Sequence, residues 1–309
     1  MQLKPHHKDM GSCVALFGEV LADVFPDGHI LGGAPFNVAR HLQGFGLNPV
    51  MISRTGNDAL REELLAEMNA RGMDTSGIQC DPQYPTGQVT VHMDAGGHSF
   101  EILPYQAYDY IHAGVTHMLT MSIKPDLVYF GTLAQRNMES RLALDNFLND
   151  ARSPRFLDLN LRAPWYDKHT VRRSLLRADI VKMNEDELGA LAVLLRLPGK
   201  SLPELAMAML KRFNLKLVVI TRGEQGAWQL NASGELQETG PQAMAQPLQD
   251  TVGAGDAFAA VYILGHLQGW EASLTLTRAN QFASALCAIR GAAPHDLAFY
   301  QPFVQEWLS

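Results

Sequence analysis

Asp250-Thr251-Val252-Gly253-Ala254-Gly255-Asp256, running straight into the apolar stretch Ala257 to Leu267, is the segment on which the reading of this chain turns. Phe258, Val261, Tyr262 and Leu264 recur at helical spacing, which predicts a helix over Ala257 to Leu267. Two glycines just before it let the backbone come close to a ligand. The first N–H groups of a helix have no intrahelical partner, and they sit at the positive end of its dipole. Together these features make an anion site, with the carboxylate of Asp256 placed to reach a hydroxyl beside it. Phosphoryl transfer needs positioning, charge stabilisation and one group that takes the hydroxyl proton. The same residues also read as an Asp N-cap after a glycine turn. The segment alone leaves both readings open.

Upstream of it, short apolar runs alternate with helix-length segments. Leu127 to Phe130, Arg155 to Asp158, Ile180 to Met183 and Leu217 to Thr221 are such runs, and each is expected to feed a helix. Cys13 to Val20 and Val50 to Ser53 read as further strands. Gly32 to Gly46 reads as a loop feeding a helix, and Asp58 to Arg71 as a helix closed by Gly72. This rhythm predicts a parallel sheet covered by helices. Thr86 to Leu103 differs: Val89, Val91 and Met93 alternate with Gln88, Thr90 and His92, and Asp94 to Gly97 forms a turn. That is a β-hairpin with one polar face, which does not belong inside a sheet buried on both faces. It is placed outside, as a small lid. With no linker, repeat or composition shift, residues 1–309 are expected to form one α/β domain with a β lid built from about 20–33 and 86–104.

The 309 residues are 47% hydrophobic and 18% charged, enough apolar surface for a substantial core and too much for disorder. A formal net charge of −7 argues against a nucleic-acid or anionic-membrane partner, so any anionic substrate needs a local positive site. No apolar run reaches the roughly 20 residues of a membrane span, and the polar N-terminus has no signal-like core. A cytoplasmic protein is the expectation. Cys13, Cys80 and Cys287 form no metal-ligand spacing and read as free thiols. Gly199-Lys200-Ser201 looks like the end of a P-loop, but Leu194 stands where the first glycine belongs and Pro198 intervenes, so it reads as a turn. The eleven histidines make no metal-binding pair, and His6-His7 lies in the polar N-terminus.

Asp250 to Asp256 resembles, at every specified position, the second signature of the ribokinase (PfkB) family of carbohydrate kinases. Further family features follow in the right order. Gly32-Gly33-Ala34-Pro35-Phe36-Asn37-Val38-Ala39 resembles the substrate segment, and Gly18-Glu19-Val20-Leu21-Ala22-Asp23 resembles the fructokinase-like start. Asp158-Leu159-Asn160-Leu161-Arg162 is similar to the Asp-x-Asn-x-Arg segment of fructokinase-like and ketodeoxygluconate-kinase-like members. Asn184-Glu185-Asp186-Glu187 matches Asn-x-x-Glu, and Thr221-Arg222-Gly223-Glu224-Gln225-Gly226 resembles the nucleotide loop.

The resemblance covers Gly18 to Gly291 and implies a ribokinase-like three-layer α/β sandwich with a mostly parallel central sheet. It implies Asp256 as catalytic base, with the amides of Gly253, Ala254 and Gly255 as anion hole, and Arg162, just past a short strand, is placed to clamp the phosphoryl group or an anionic part of the substrate. Asp23, Gly32, Gly33, Asn37 and Asn160 would bind the sugar. Asn184, Thr221, Gly223, Gly226 and Asn280 would bind ATP, with Mg2+ held by Glu187 through water. Asp250 and Gly291 would form the backbone part of a monovalent-cation site, K+ being the candidate ion. The expected reaction is transfer of the γ-phosphate of ATP to a primary hydroxyl of a small sugar, foremost fructose to fructose 6-phosphate. Ribose, a nucleoside or 2-keto-3-deoxygluconate is the alternative acceptor, and a non-catalytic binding relative the reading from another class. His98 stands where related sequences often carry a charged residue after the hairpin turn. The lid is expected to close over the sugar and exclude water, or to form a homodimer contact.

Overall fold

In the first strand, Val14 and Leu16 point to one side of the sheet and Ala15 and Phe17 to the other, and all four are buried. Period-2 alternation with both faces apolar is what a strand between two helical layers requires. The computed structural model describes residues 11–94, 97–242 and 247–308. In chain order its strands are β1 (Cys13–Phe17), β2 (Leu21–Phe25), β3 (Gly28–Gly32), β4 (Asn48–Gly56), β5 (Ile78–Asp81), β6 (Gly87–Asp94) and β7 (Gly97–Ile102). They continue with β8 (Leu127–Phe130), β9 (Arg155–Asp158), β10 (Ile180–Asn184), β11 (Leu217–Thr221), β12 (Ala227–Asn231) and β13 (Leu236–Thr239). The helices are α1 (Ala34–Gly44), α2 (Ala59–Ala70), α3 (Ala113–Ser122), α4 (Met138–Asp150), α5 (Lys168–Arg177), α6 (Glu185–Leu195), α7 (Leu202–Phe213), α8 (Ala254–Gln268), α9 (Ala272–Leu286) and α10 (Gln301–Leu308).

Nine strands form the central sheet in the order β13-β12-β11-β10-β9-β8-β1-β4-β5. From β11 to β5 every neighbouring pair is parallel, whereas β12 and β13 run antiparallel. The sheet divides the core in two, with α1, α2, α8, α9 and α10 packed on one face and α4 to α7 on the other. This is the ribokinase-like α/β architecture. One expectation is corrected: β11 does not feed a helix. The chain folds back instead through a short turn at Gly223–Gln225 into β12 and β13. Gly226 makes the reversal, since its φ is +95° and a Cβ there would come within 2.2 Å of the Thr239 carbonyl oxygen.

A second sheet, in the order β3-β2-β6-β7, lies apart from the first. It is drawn from the segments expected to form a lid. Val89 and Val91 on β6 are buried, opposite Ile102 and Phe100 of β7, while His92 faces outward and pairs with Glu101 at 3.0 Å. The turn residues 95–96 fall outside the described residues, as do His6-His7, and of His98 only the backbone is described. Among the described residues no helix is long and apolar enough to cross a membrane. The Lys200 segment is a turn, with Ser201 capping α7.

In α8 every residue from Ala257 to Gly265 is buried, so this helix runs through the core rather than over it. It begins at Gly253 and ends at Gly269, both in left-handed conformation. From β1 the chain proceeds to β4 and β5 on one side and returns at β8 on the other. That reversal of strand order opens a crevice where ligands bind in open α/β sheets.

Candidate active site

Two cavities meet at the start of α8. One, of about 710 Å³, is lined by Glu19, Asp23, Gly33, Asn37, Asn160 and Arg162 and roofed by Val89, Phe100 and Ile102 of the second sheet. The other, of about 720 Å³, is lined by Gly223, Gly226, Phe258, Asn280, Ala283 and Cys287. They share Thr221, Thr251 and Gly255, and Asp256 faces the first. A group bound in one cavity can therefore reach a group bound in the other only past the glycine turn.

The turn is fitted tightly. Gly253 has φ +78°, and a Cβ there would come within 2.5 Å of Ala292. Ala292 is itself held, because the buried imidazole of His41 bonds its carbonyl at 3.0 Å and the Tyr300 hydroxyl at 3.0 Å. A carbonyl only accepts, so Nε2 carries the proton and Nδ1 accepts from Tyr300. Burial pushes the His41 pKa down to about 3, and the ring stays neutral. The expected trio of anion-hole amides is corrected at one position, since the Ala254 N–H donates to the Thr251 carbonyl at 3.2 Å. The N–H groups of Gly253, Gly255 and Asp256 make no hydrogen bond among the described residues, and these form the donor set at the helix start.

Asp256 is oriented by Asn37, whose amide donates to its Oδ2 at 2.7 Å. Part of Asp256 opens to the cavity, yet protein walls surround the carboxylate and dehydrate it. That burial, with the nearby charge of Asp158, pushes its pKa up to about 6, against the pull of Lys182, Asn37 and Arg162. A carboxylate of that pKa is ionised at neutral pH and close to the range suited to general-base work. Burial likewise raises Asp23 to about 6 and Glu19 to about 7.

Sequence reading missed Lys182. Its ammonium donates to both oxygens of Asp158 at 3.1 and 2.9 Å, and both side chains are buried. It also lies directly beneath the glycine turn, where a Cβ on Gly255 would stand 3.3 Å from Nζ. Burial works against the ammonium, but the charges of Asp158 and Asp256 more than offset it and raise its pKa. The available signal was the alternation of β10: Ile180 faces the α8 layer, so Lys182, two residues on, must face it too. A lysine on that buried face demands a partner, and register pairs it with Asp158 on β9.

The remaining expected residues fall as follows. Asp23 sits on β2 in the first cavity, and Gly33 packs against the Glu19 backbone, where a Cβ would lie 2.7 Å from the carbonyl oxygen. Gly32 does not line the cavity but gives room to Asp23, whose Oδ2 lies 3.3 Å from where its Cβ would be. Asn37, expected to bind a sugar, lines the first cavity; one amide N–H bonds Asp256 and its oxygen accepts from Arg40, so it also orients the carboxylate. Asn160 has φ +40° and lines the cavity with Arg162, which is exposed at the mouth and unpaired among the described residues. Asn184 and Glu187 form a reciprocal capping box at the start of α6, at 2.8 and 2.9 Å. The other Glu187 oxygen accepts from Leu161 N–H at 2.7 Å, which leaves no oxygen free of backbone contacts. Thr221, Gly223 and Gly226 border the second cavity, as does Asn280, whose amide is tied to the Gly240 carbonyl at 3.2 Å. Asp250 and Gly291 are brought together, by the carboxylate of the first accepting from the N–H of the second at 2.9 Å.

The chain from 13 to 297 matches the family model described as pfkB family carbohydrate kinase. A putative sugar kinase of Pyrococcus horikoshii is 29% identical over 267 residues, covering 84% of this chain and 79% of that protein. A fructokinase of Vibrio alginolyticus is 25% identical over 288 residues, covering 88% and 90% of the two chains. Among solved structures, a double mutant of the Vibrio cholerae O395 fructokinase, in fructose, ADP and potassium ion bound form, superposes with TM-score 0.77. It is 25% identical, and the match covers 94% of this chain and 97% of that one. Joined to the glycine turn, the Asn37-held carboxylate and the paired cavities, these matches place the chain in the pfkB family of carbohydrate kinases: it is a sugar kinase, a phosphotransferase acting on sugar hydroxyls.

Proposed function

We propose that this kinase transfers the γ-phosphate of ATP to a primary hydroxyl of a neutral sugar, with fructose as acceptor and fructose 6-phosphate as product. The observation that carries the reading is the position of Asp256. It stands at the junction of the two cavities, oriented by Asn37, beside free N–H groups at the start of α8. The sugar lies in the cavity roofed by the second sheet and the nucleotide in the other. Asp256 takes the proton as the hydroxyl oxygen attacks the γ-phosphorus, and ADP departs on the far side. Negative charge on the transferring oxygens meets the N–H groups of Gly253 and Gly255, with Lys182 beneath and Arg162 at the mouth. Mg2+ near the phosphates would neutralise charge, and Glu187 fits a hydrated ion through water, because its oxygens already accept from backbone. The Asp250–Gly291 contact is where a monovalent cation would sit in this reading, as the potassium-bound relative suggests.

A sugar acid is the second reading, favoured by Arg162. Five carboxylates, Glu19, Asp23, Asp158, Glu187 and Asp256, line the same cavity against two cations, Lys182 and Arg162, and the acidic excess weighs toward a neutral acceptor. ATP consumption and phosphorylated product, followed across sugars, nucleosides and sugar acids, decide the matter. The highest kcat/KM is expected on fructose. Turnover confined to 2-keto-3-deoxygluconate would overturn the neutral-sugar assignment. A sugar that raises Tm without any turnover would instead mark a binding relative.

A further inference from the structure

Glu19 Oε2, Tyr108 OH and Arg136 Nη1, three buried side-chain atoms in one neighbourhood beside the first cavity, have no hydrogen-bond partner among the described residues. The guanidinium of Arg136 lies over the Tyr108 ring, 5.1 Å from its centroid, and the Glu19 charge acts on both groups. Arg136 is anchored elsewhere, by two hydrogen bonds to Asp109 at 2.6 and 2.8 Å and one to the Leu103 carbonyl at 2.7 Å. Tyr108 is fully buried. Of the three, only Glu19 lines the cavity, although it is 4% exposed. Its side chain packs against Gly33, where a Cβ would stand 3.4 Å from its Cγ, so it forms the floor on which a sugar would rest. Polar atoms buried without partners are rare and call for a group that completes them.

We propose that Glu19 is a sugar-binding residue whose Oε2 accepts a hydrogen bond from a substrate hydroxyl other than the one phosphorylated, with Tyr108 and Arg136 as positioning residues behind it. The inference rests on the sugar-kinase reading above and narrows its substrate class. A hydroxyl carries a proton to donate, so it satisfies the carboxylate. Glu19 therefore selects a polyol with a hydroxyl at this depth and discriminates against the deoxy analogue.

The test compares wild-type enzyme with Glu19→Met on D-fructose and on its monodeoxy analogues. The wild type is expected to lose about 100-fold or more in kcat/KM on one analogue, since a site built for a hydroxyl rejects its absence strongly. Glu19→Met, which keeps the length and removes both acceptor oxygens, is expected to weaken fructose use mainly through KM and to shrink that penalty to within about 3-fold. An undiminished penalty in the variant overturns the proposal, as does an equal loss on every analogue joined to a lower Tm, the mark of a structural role. Should the variant not fold, a fructose-bound structure of the wild type decides: a sugar hydroxyl within about 3.2 Å of Glu19 Oε2 supports it, and a water in that place refutes it. Failure of the substrate reading looks different, because fructose and other neutral sugars would then not be turned over by the wild type at all.

Discussion

Replacing Lys182 by Met should expose how far the buried Lys182–Asp158 pair sustains both the fold and the base. Asp158 is 1% exposed and Lys182 7%, and the only other hydrogen bond to the Asp158 carboxylate among the described residues comes from the Tyr129 hydroxyl at 3.3 Å. The substitution keeps the volume of the stem and strands a buried carboxylate. Breaking a buried pair in this way costs about 3–5 kcal/mol. An unfolding entropy near 2.1 cal/mol/K per residue, over 309 residues, corresponds to roughly 0.65 kcal/mol per degree. Tm at pH 7 should therefore fall by about 5–8 °C. The double variant Lys182→Met, Asp158→Asn should recover most of that loss, because no charge is left unpaired.

The same series predicts pH behaviour. Asp256 must be ionised to act, so kcat/KM falls as pH drops through its pKa of about 6. Lys182 holds that pKa down and Asp158 holds it up. Removing Lys182 should move the acid limb upward by about one pH unit, while Asp158→Asn should move it downward. The limb belongs jointly to Asp256, Asp23 and Glu19, so the shift between variants is the quantity to compare. Calorimetry and pH–rate profiles on the four proteins provide the assay. A single variant that loses under about 1 kcal/mol, or a double variant no more stable than the single, would refute a tightly coupled pair. Acid limbs that move together would refute the electrostatic account of Asp256.

Asp256→Asn should lower kcat by about 10²–10⁴ while leaving nucleotide affinity, measured calorimetrically, within a few-fold of wild type. An unchanged kcat would remove Asp256 from the reaction. Gly253→Ala places a Cβ 2.5 Å from Ala292 at φ +78°, so the turn must shift. Its kcat is expected to fall at least about 10-fold through displaced N–H donors, with KM for the sugar little changed. Retention of full kcat would show that the donors at the start of α8 do not contact the transferring group.

The local chemistry of this protein was legible in one dimension. The glycine turn with its following helix, the alternating strands of the second sheet and the apolar runs of the parallel sheet are set by short-range spacing, which a sequence states directly. Long-range pairing was not legible. Asn37 and Asp256 lie 219 positions apart, and nothing near either residue announces that one holds the other. Lys182 met Asp158 only through parallel register, and the orphaned atoms of Glu19, Tyr108 and Arg136 came together only when three separate segments packed. The antiparallel return after Thr221 was hidden too, because short buried runs in strand and helix look alike until a turn commits them. Asp250 to Asp256 could thus declare from its own residues an anion site with a carboxylate beside it. Which groups tune that carboxylate, and which hydroxyl it faces, were decided by the tertiary structure, since desolvation and charge coupling depend on distances that only packing creates.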